Sequence, residues 1–311
     1  DVRLISGHLC DVAYILNLTK KGDAILSVAA KNGGYPGIST AGIGSFIGTK
    51  DLFFPFDQER FNIDVEKSKA LLEKRKPRLV VHGASRILFP QPVEELAKSS
   101  RESVRIYDGS HVLGLIAGSE FQDPLNEGCS LLIGSTHKSF PGPQGGIIVS
   151  NDEEVFNQVS GGIFPGLVDN IHWNRVAALV VVMSEMLQFG KEYARAIVRN
   201  SQALGKTLDE LGVKVKGAKY GYSRSHQVIL DYGEEASESL SNKLEQANII
   251  ADSGIRLGLS EVTRLGMGPN EMHTVGELVS SIVLGRATPA QVAKKVRSFV
   301  SEFHKPKFVL A

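Results

Sequence analysis

Cysteine is scarce in this chain. Cys10 and Cys129 are its only two; they give neither a disulfide framework nor a zinc-ligand spacing, which argues against a disulfide-built secreted scaffold and fits a reducing cytoplasm. Surplus charge is missing too. A formal net charge of +1 gives no electrostatic case for a nucleic-acid or membrane partner. No apolar run approaches the roughly 20 residues that span a bilayer, and there is no internal repeat or low-complexity tract. The opening "DVRLISGHLC" has neither the pattern of a signal peptide nor an initiator methionine. What the chain does have is 311 residues, 42% of them hydrophobic and 22% charged, with 32 glycines. That composition reads as an α/β protein with one large and one small domain.

Strand and helix signals alternate. Leu9, Val12, Ala13 and Leu16 share one face of a helix that starts after "ISG". Apolar runs at 23–30, 51–56, 78–83, 104–111, 129–138 and 145–151 read as strands, and 62–77 reads as a helix stopped by proline. Strands separated by helical segments predict a mostly parallel sheet covered by helices. Ligands of such sheets bind beyond the carboxyl ends of the strands. A long helix over 174–212 leads away from the sheet to a smaller unit with a strand at 225–233 and helices at 236–247, 269–285 and 289–304. The boundary is expected near residue 190, giving domains 1–190 and 191–311.

Four strand or helix ends carry chemically suggestive groups. They are Ser85 in "HGAS", Asp108 in "YDGSH", Lys138 in "STHK", and the Ser6-Gly7 turn before the first helix. Each alone has an ordinary explanation: a surface lysine, a turn-forming aspartate, a helix start. In combination they suit pyridoxal 5'-phosphate. A lysine can form a Schiff base, a carboxylate can keep a pyridine nitrogen protonated, and a helix N-terminus can hold a phosphate.

Three longer motifs sharpen this reading. "GSTHKSFPGPQGG", "YDGSHVLGLIAG" and "SGIRLGLSEVTRLGM" resemble, in order, the lysine motif, the Asp-x-x-His signature and the Ser-Gly-Ile-Arg segment of serine hydroxymethyltransferases. These are fold-type I pyridoxal-phosphate enzymes, and the archaeal branch is the most similar. The resemblance runs from near residue 1 almost to the C-terminus. It implies that Lys138 holds the cofactor covalently, that Asp108 pairs with the pyridine nitrogen, and that His111 and Ser85 sit near the phenolic oxygen. Ser6, Gly7, His8, Ser135 and His137 would surround the phosphate and the lysine, with Asn32 at the ring. Arg256 would grip the substrate carboxylate as a bidentate fork. The implied reaction interconverts serine and glycine and passes a one-carbon unit to tetrahydrofolate or a tetrahydromethanopterin-type carrier. The implied assembly is a cytoplasmic homodimer with shared sites and no metal.

The chain also departs from the family. Asn32, in "KNGGYPG", stands where a ring-stacking histidine is usual. Asp11 replaces an asparagine, so an added negative charge is expected near the cofactor, and Asp169 would repel a nearby phosphate. Nothing in the sequence matches the family's N-terminal segment, with its catalytic glutamate and tyrosines, and the stretch before Ser253 is short. These departures keep two alternatives in play: a related aldolase or transaldolase acting on β-hydroxy amino acids, and a non-catalytic paralogue.

Overall fold

A computed structural model describes residues 1–252 and 254–310. Ser253, which opens the Ser-Gly-Ile-Arg segment, lies outside the described residues. The chain forms two compact units, Asp1–Ser184 and Glu185–Ala311, so the division falls at 184/185 where 190 was expected.

The first unit begins with α1 (Gly7–Leu18), β1 (Ala24–Ser27), α2 (Ile43–Ile47) and β2 (Lys50–Phe53). A small hairpin of β3 (Phe56–Asp57) and β4 (Asn62–Ile63) follows, then α3 (Val65–Arg75), β5 (Leu79–His82), α4 (Val93–Ala97) and β6 (Val104–Asp108). The unit continues with α5 (Leu113–Ala117), β7 (Leu131–His137), β8 (Pro141–Ser150) and α6 (Glu153–Gly161). The long helix α7 (Trp173–Glu210) carries the chain into the second unit. There β9 (Gln227–Ile229), α8 (Glu234–Gln246), β10 (Arg256–Gly258), α9 (Ser260–Arg264), α10 (Pro269–Val283) and α11 (Pro289–Val300) complete the fold.

The main sheet runs β2-β1-β5-β6-β7-β8. Its first five strands are parallel, and β8 returns antiparallel beside β7. β5 is buried along its whole length and β7 along all but its last residue, as expected of strands covered on both faces. One layer of the core joins Cys10, Ala13, Tyr14 and Leu18 of α1 to Leu79, Ile106, Leu131 and Ile133 of the sheet. Residues 1–4 lie along the outer edge of β8, where the Gly146 amide donates to the Leu4 carbonyl and the Ile148 amide to the Asp1 carbonyl, both at 2.9 Å.

The α/β architecture and its mostly parallel sheet agree with the sequence reading. So do the strands that end at Asp108 and His137, the residue before Lys138. The second unit has its own core, in which Val228, Leu244, Leu257, Met272 and Val279 are buried together. Asn200 of α7 is buried there, and its Nδ2 donates to the Thr263 hydroxyl at 2.8 Å and the Met267 carbonyl at 2.9 Å.

One buried group links this packing to pH. The His82 side chain at the end of β5 is fully buried against Phe54, with ring centroids 5.3 Å apart. Neither of its ring nitrogens has a hydrogen-bond partner among the described residues. Burial, helped by the positive charge of Arg105, pulls its pKa down to about 3. In the unfolded chain His82 takes up a proton below about pH 6.5, while the folded protein keeps it neutral down to about 3. Stability is therefore lost as pH falls through that window, by roughly 1.4 kcal/mol per pH unit. Urea denaturation at pH 7, 6, 5 and 4 should show a shallower acid loss for His82→Leu than for the unaltered chain; identical slopes would contradict this account.

Candidate active site

Parallel strands bring their carboxyl ends to one side of a sheet, and that is where the candidate groups meet. A cavity of about 200 Å³ is lined by Ser6, Gly7 and His8 from the start of α1 and by Ser85 from beyond β5. Asp108 and His111 line it after β6, and Ser135, His137 and Lys138 line it at the end of β7. Nine of the ten residues expected around the cofactor therefore share one cavity.

Local sequence explains each position. Ser6 caps α1, its hydroxyl accepting from the Leu9 amide at 3.1 Å, and no acidic residue follows in the first turn. The free amides and the dipole at this end therefore face the cavity without a competing negative charge. A Cβ on Gly7 would stand 2.3 Å from the Ser135 hydroxyl and 2.8 Å from that of Ser110, so only glycine lets the helix start this close to the strand ends. Gly83 makes the turn after β5 with φ +96°, and a Cβ there would meet the Asp108 carbonyl at 2.1 Å. The Asp108 carboxylate is fixed by the Ser110 amide, which donates to Oδ1 at 2.9 Å. The Ser110 hydroxyl accepts from the Ser135 amide at 3.1 Å, tying the ends of the two strands together.

Lys138 extends into this setting with Nζ 3.2 Å from His111 Nε2. Burial and the neighbouring ammonium of Lys138 hold the pKa of His137 below its usual value. An amine, an imidazole, a fixed carboxylate and a helix start together form a donor set that fits pyridoxal 5'-phosphate: an aldehyde at Lys138, a pyridine nitrogen at Asp108 and a phosphate at α1.

Of the other expected residues, one sits elsewhere in the first unit and one belongs to the second. Asn32 does not line the cavity. It is buried, and its side-chain oxygen accepts from Gln58 Nε2 at 2.7 Å, because the short helical turn Ala30–Asn32 turns it toward the segment carrying Gln58. Arg256 belongs to the second unit, where its Nε lies 3.1 Å from Asp252 Oδ2. Four residues that the sequence reading gave no cofactor role also line the cavity: Asp11, Tyr35, Ser110 and Gln144. The Tyr35 hydroxyl lies 3.1 Å from His8 Nδ1, and burial, followed by the nearby carboxyl groups of Asp11 and Asp108, raises its pKa. Ser110 could have been read from its place between Asp108 and His111. Tyr35 offered only its position after two glycines.

Comparison with known proteins agrees with this geometry. Residues 1–279 match the family model described as "Serine hydroxymethyltransferase". A serine hydroxymethyltransferase of Methanocella arvoryzae is 39% identical, over 99% of this chain and 77% of the relative. That of Methanopyrus kandleri is 40% identical, over 99% and 76%, and that of Thermococcus kodakarensis 38%, over 98% and 76%. Among solved structures, the L-threonine transaldolase of Pseudomonas fluorescens superposes with a TM-score of 0.95 at 28% identity, covering 99% of this chain and 74% of that one.

The close approach at Gly7 is open to a direct test. In Gly7→Ala the new methyl must displace Ser135 or the helix start, an overpacking cost of about 1–3 kcal/mol. If α1 cradles the phosphate, equilibrium dialysis should show roughly tenfold or weaker retention of pyridoxal phosphate, with the circular dichroism spectrum preserved. Unchanged retention would remove α1 from the site.

Proposed function

Because this chain belongs to the serine hydroxymethyltransferase family, we propose that it interconverts serine and glycine, with pyridoxal 5'-phosphate held at Lys138 and a reduced pterin, tetrahydrofolate or a tetrahydromethanopterin-type carrier, as the one-carbon acceptor. The observation that carries this reading is the single cavity shared by Lys138, Asp108 and the start of α1. When bound, the cofactor supplies an electron sink for the bond cleaved at the α-carbon of the amino acid.

The protein's own groups have separable tasks. Lys138 must lose a proton before it can act as a nucleophile, and His111 Nε2 is within hydrogen-bond reach to take it. Asp108, oriented by the Ser110 amide, would keep the ring nitrogen protonated. Ser6, Gly7, Ser135 and His8 would anchor the phosphate, Ser85 would sit with His111 near the phenolic oxygen, and His137 beside the lysine. Arg256 is the candidate for the substrate carboxylate; its guanidinium would exchange its contact with Asp252 for a two-pronged pair with the amino acid.

The expected assembly is a homodimer. On α7, Trp173 and Val180 are seven residues apart and so share a helix face, and with Val181 they are 70%, 57% and 53% exposed. Phe46 is also bare, at 86%. Such apolar exposure suits burial against a second copy. A cytoplasmic location fits two cysteines that are both free.

Cofactor-loaded protein supplied with serine and a tetrahydropterin should release glycine. Lys138→Ala should abolish the borohydride-trappable cofactor and slow glycine formation on the order of a thousandfold or more. Cleavage of threonine or another β-hydroxy amino acid without any pterin would favour the aldolase or transaldolase reading, and failure to retain the cofactor would favour a non-catalytic paralogue. Sedimentation should give twice the chain mass, with Val180→Glu shifted toward monomer; a monomeric parent chain would refute the shared-site assembly.

A further inference from the structure

Asp11 has no part in the scheme above, yet it lines the same cavity as Asp108 and Lys138. It follows Gly7 by four residues in α1, so the two lie on the same helix face. Its side chain is buried, with the residue 1% exposed, and Oδ1 has no hydrogen-bond partner among the described residues. A buried carboxyl without donors is costly as an anion. The groups around it give little relief. Cys10 and Tyr14 lie near it on its own helix, and Asp108 at the end of β6 and Tyr35 from the loop before α2 line the same cavity and act on it electrostatically. Lys138 is the cation that acts on it. The Tyr14 hydroxyl is near enough to draw its pKa down, although neither that hydroxyl nor Asp11 Oδ1 has a hydrogen-bond partner among the described residues.

Two carboxylates so placed cannot both ionise freely, and the better-solvated or better-bonded one keeps the charge. Asp108 is only partly buried and has the Ser110 amide on Oδ1; Asp11 has no such donor on its own Oδ1. We propose that Asp11 is a positioning residue that stays protonated in the folded site and donates its O–H toward Asp108, so that the pair carries one negative charge and Asp108 is held in orientation. This rests on the reading of Asp108 as the partner of the ring nitrogen. Burial, and after it the charge of Asp108, pushes the Asp11 carboxyl well above its ordinary range, in agreement. On this proposal the negative charge expected of Asp11 from sequence is replaced by a retained proton.

The test compares cofactor-loaded full-length protein with Asp11→Asn and Asp11→Leu between pH 5 and 9. Asparagine is neutral throughout and can still donate; leucine cannot. A carboxyl buried with its proton is ionised once the chain unfolds, so above about pH 4 its unfolding constant rises by up to tenfold per pH unit. Thermal unfolding should therefore show the unaltered chain losing ground to Asp11→Asn as pH rises. At pH 7 the visible cofactor band of Asp11→Asn should match that of the unaltered chain, while Asp11→Leu shifts the band or loosens the cofactor at least tenfold. Parallel unfolding curves for the unaltered chain and Asp11→Asn would overturn the proposal, because Asp11 would then be ionised in the fold. An unaltered band and affinity in Asp11→Leu would overturn the positioning role. If Asp108→Asn leaves the band unchanged, the assignment of Asp108 fails and the orienting role fails with it, whereas the pH slope at Asp11 would still report a retained proton.

Discussion

The parallel pairing of β6 with β7 is the constraint on which the candidate site depends. It sets Asp108 opposite Ile133, with adjacent strands roughly 4.8 Å apart. β7 then runs past the end of β6 to His137, and Lys138 follows it into the cavity that Asp108 also lines. A slip of one residue would turn every side chain of β7 to the other face of the sheet. Register here is held by Ile106, Leu131 and Ile133, which are fully buried, and by the Ser110 hydroxyl bridging to the Ser135 amide. Hydrophobic packing thus determines the geometry of two polar groups that take no part in it.

Depth then sorts the polar groups. Those nearest the mouth, Lys138 and His137, are exposed, while Asp108 is half-buried and bonded to backbone. Those on the inner face of α1, Cys10, Asp11 and Tyr14, are buried, and desolvation raises the pKa of all three toward the neutral form. The result is a wall that is polar in composition but carries little charge, against which a few ionised groups act strongly. Composition alone could not reveal that gradient, because it counts an aspartate as an anion wherever it lies.

Much of the architecture was legible because strand signals end where the chemistry begins. The runs before Asp108 and Lys138 are apolar and β-rich, and the Ser-Gly pair announces α1. What stayed hidden depended on distant contacts. Tyr35 reaches the cavity through a turn in which Gly33 takes φ +93° and through its contact with His8, 27 residues away. Asn32, two residues before Gly34 in that turn, is claimed by Gln58, a pairing that no local pattern signals. β8 begins at Pro141, inside a segment whose composition reads as turn; an antiparallel strand at the sheet edge tolerates prolines that an interior parallel strand would not.

The strip formed by residues 1–4 has a consequence beyond the site. β8 is the last strand of its sheet, and an outermost strand offers unmatched amides and carbonyls to any passing chain. Leu4 and Asp1 occupy the amides of Gly146 and Ile148, so that border is already engaged. A handful of residues thus forms a selvedge, taking up amides through which a foreign strand would otherwise lengthen the sheet.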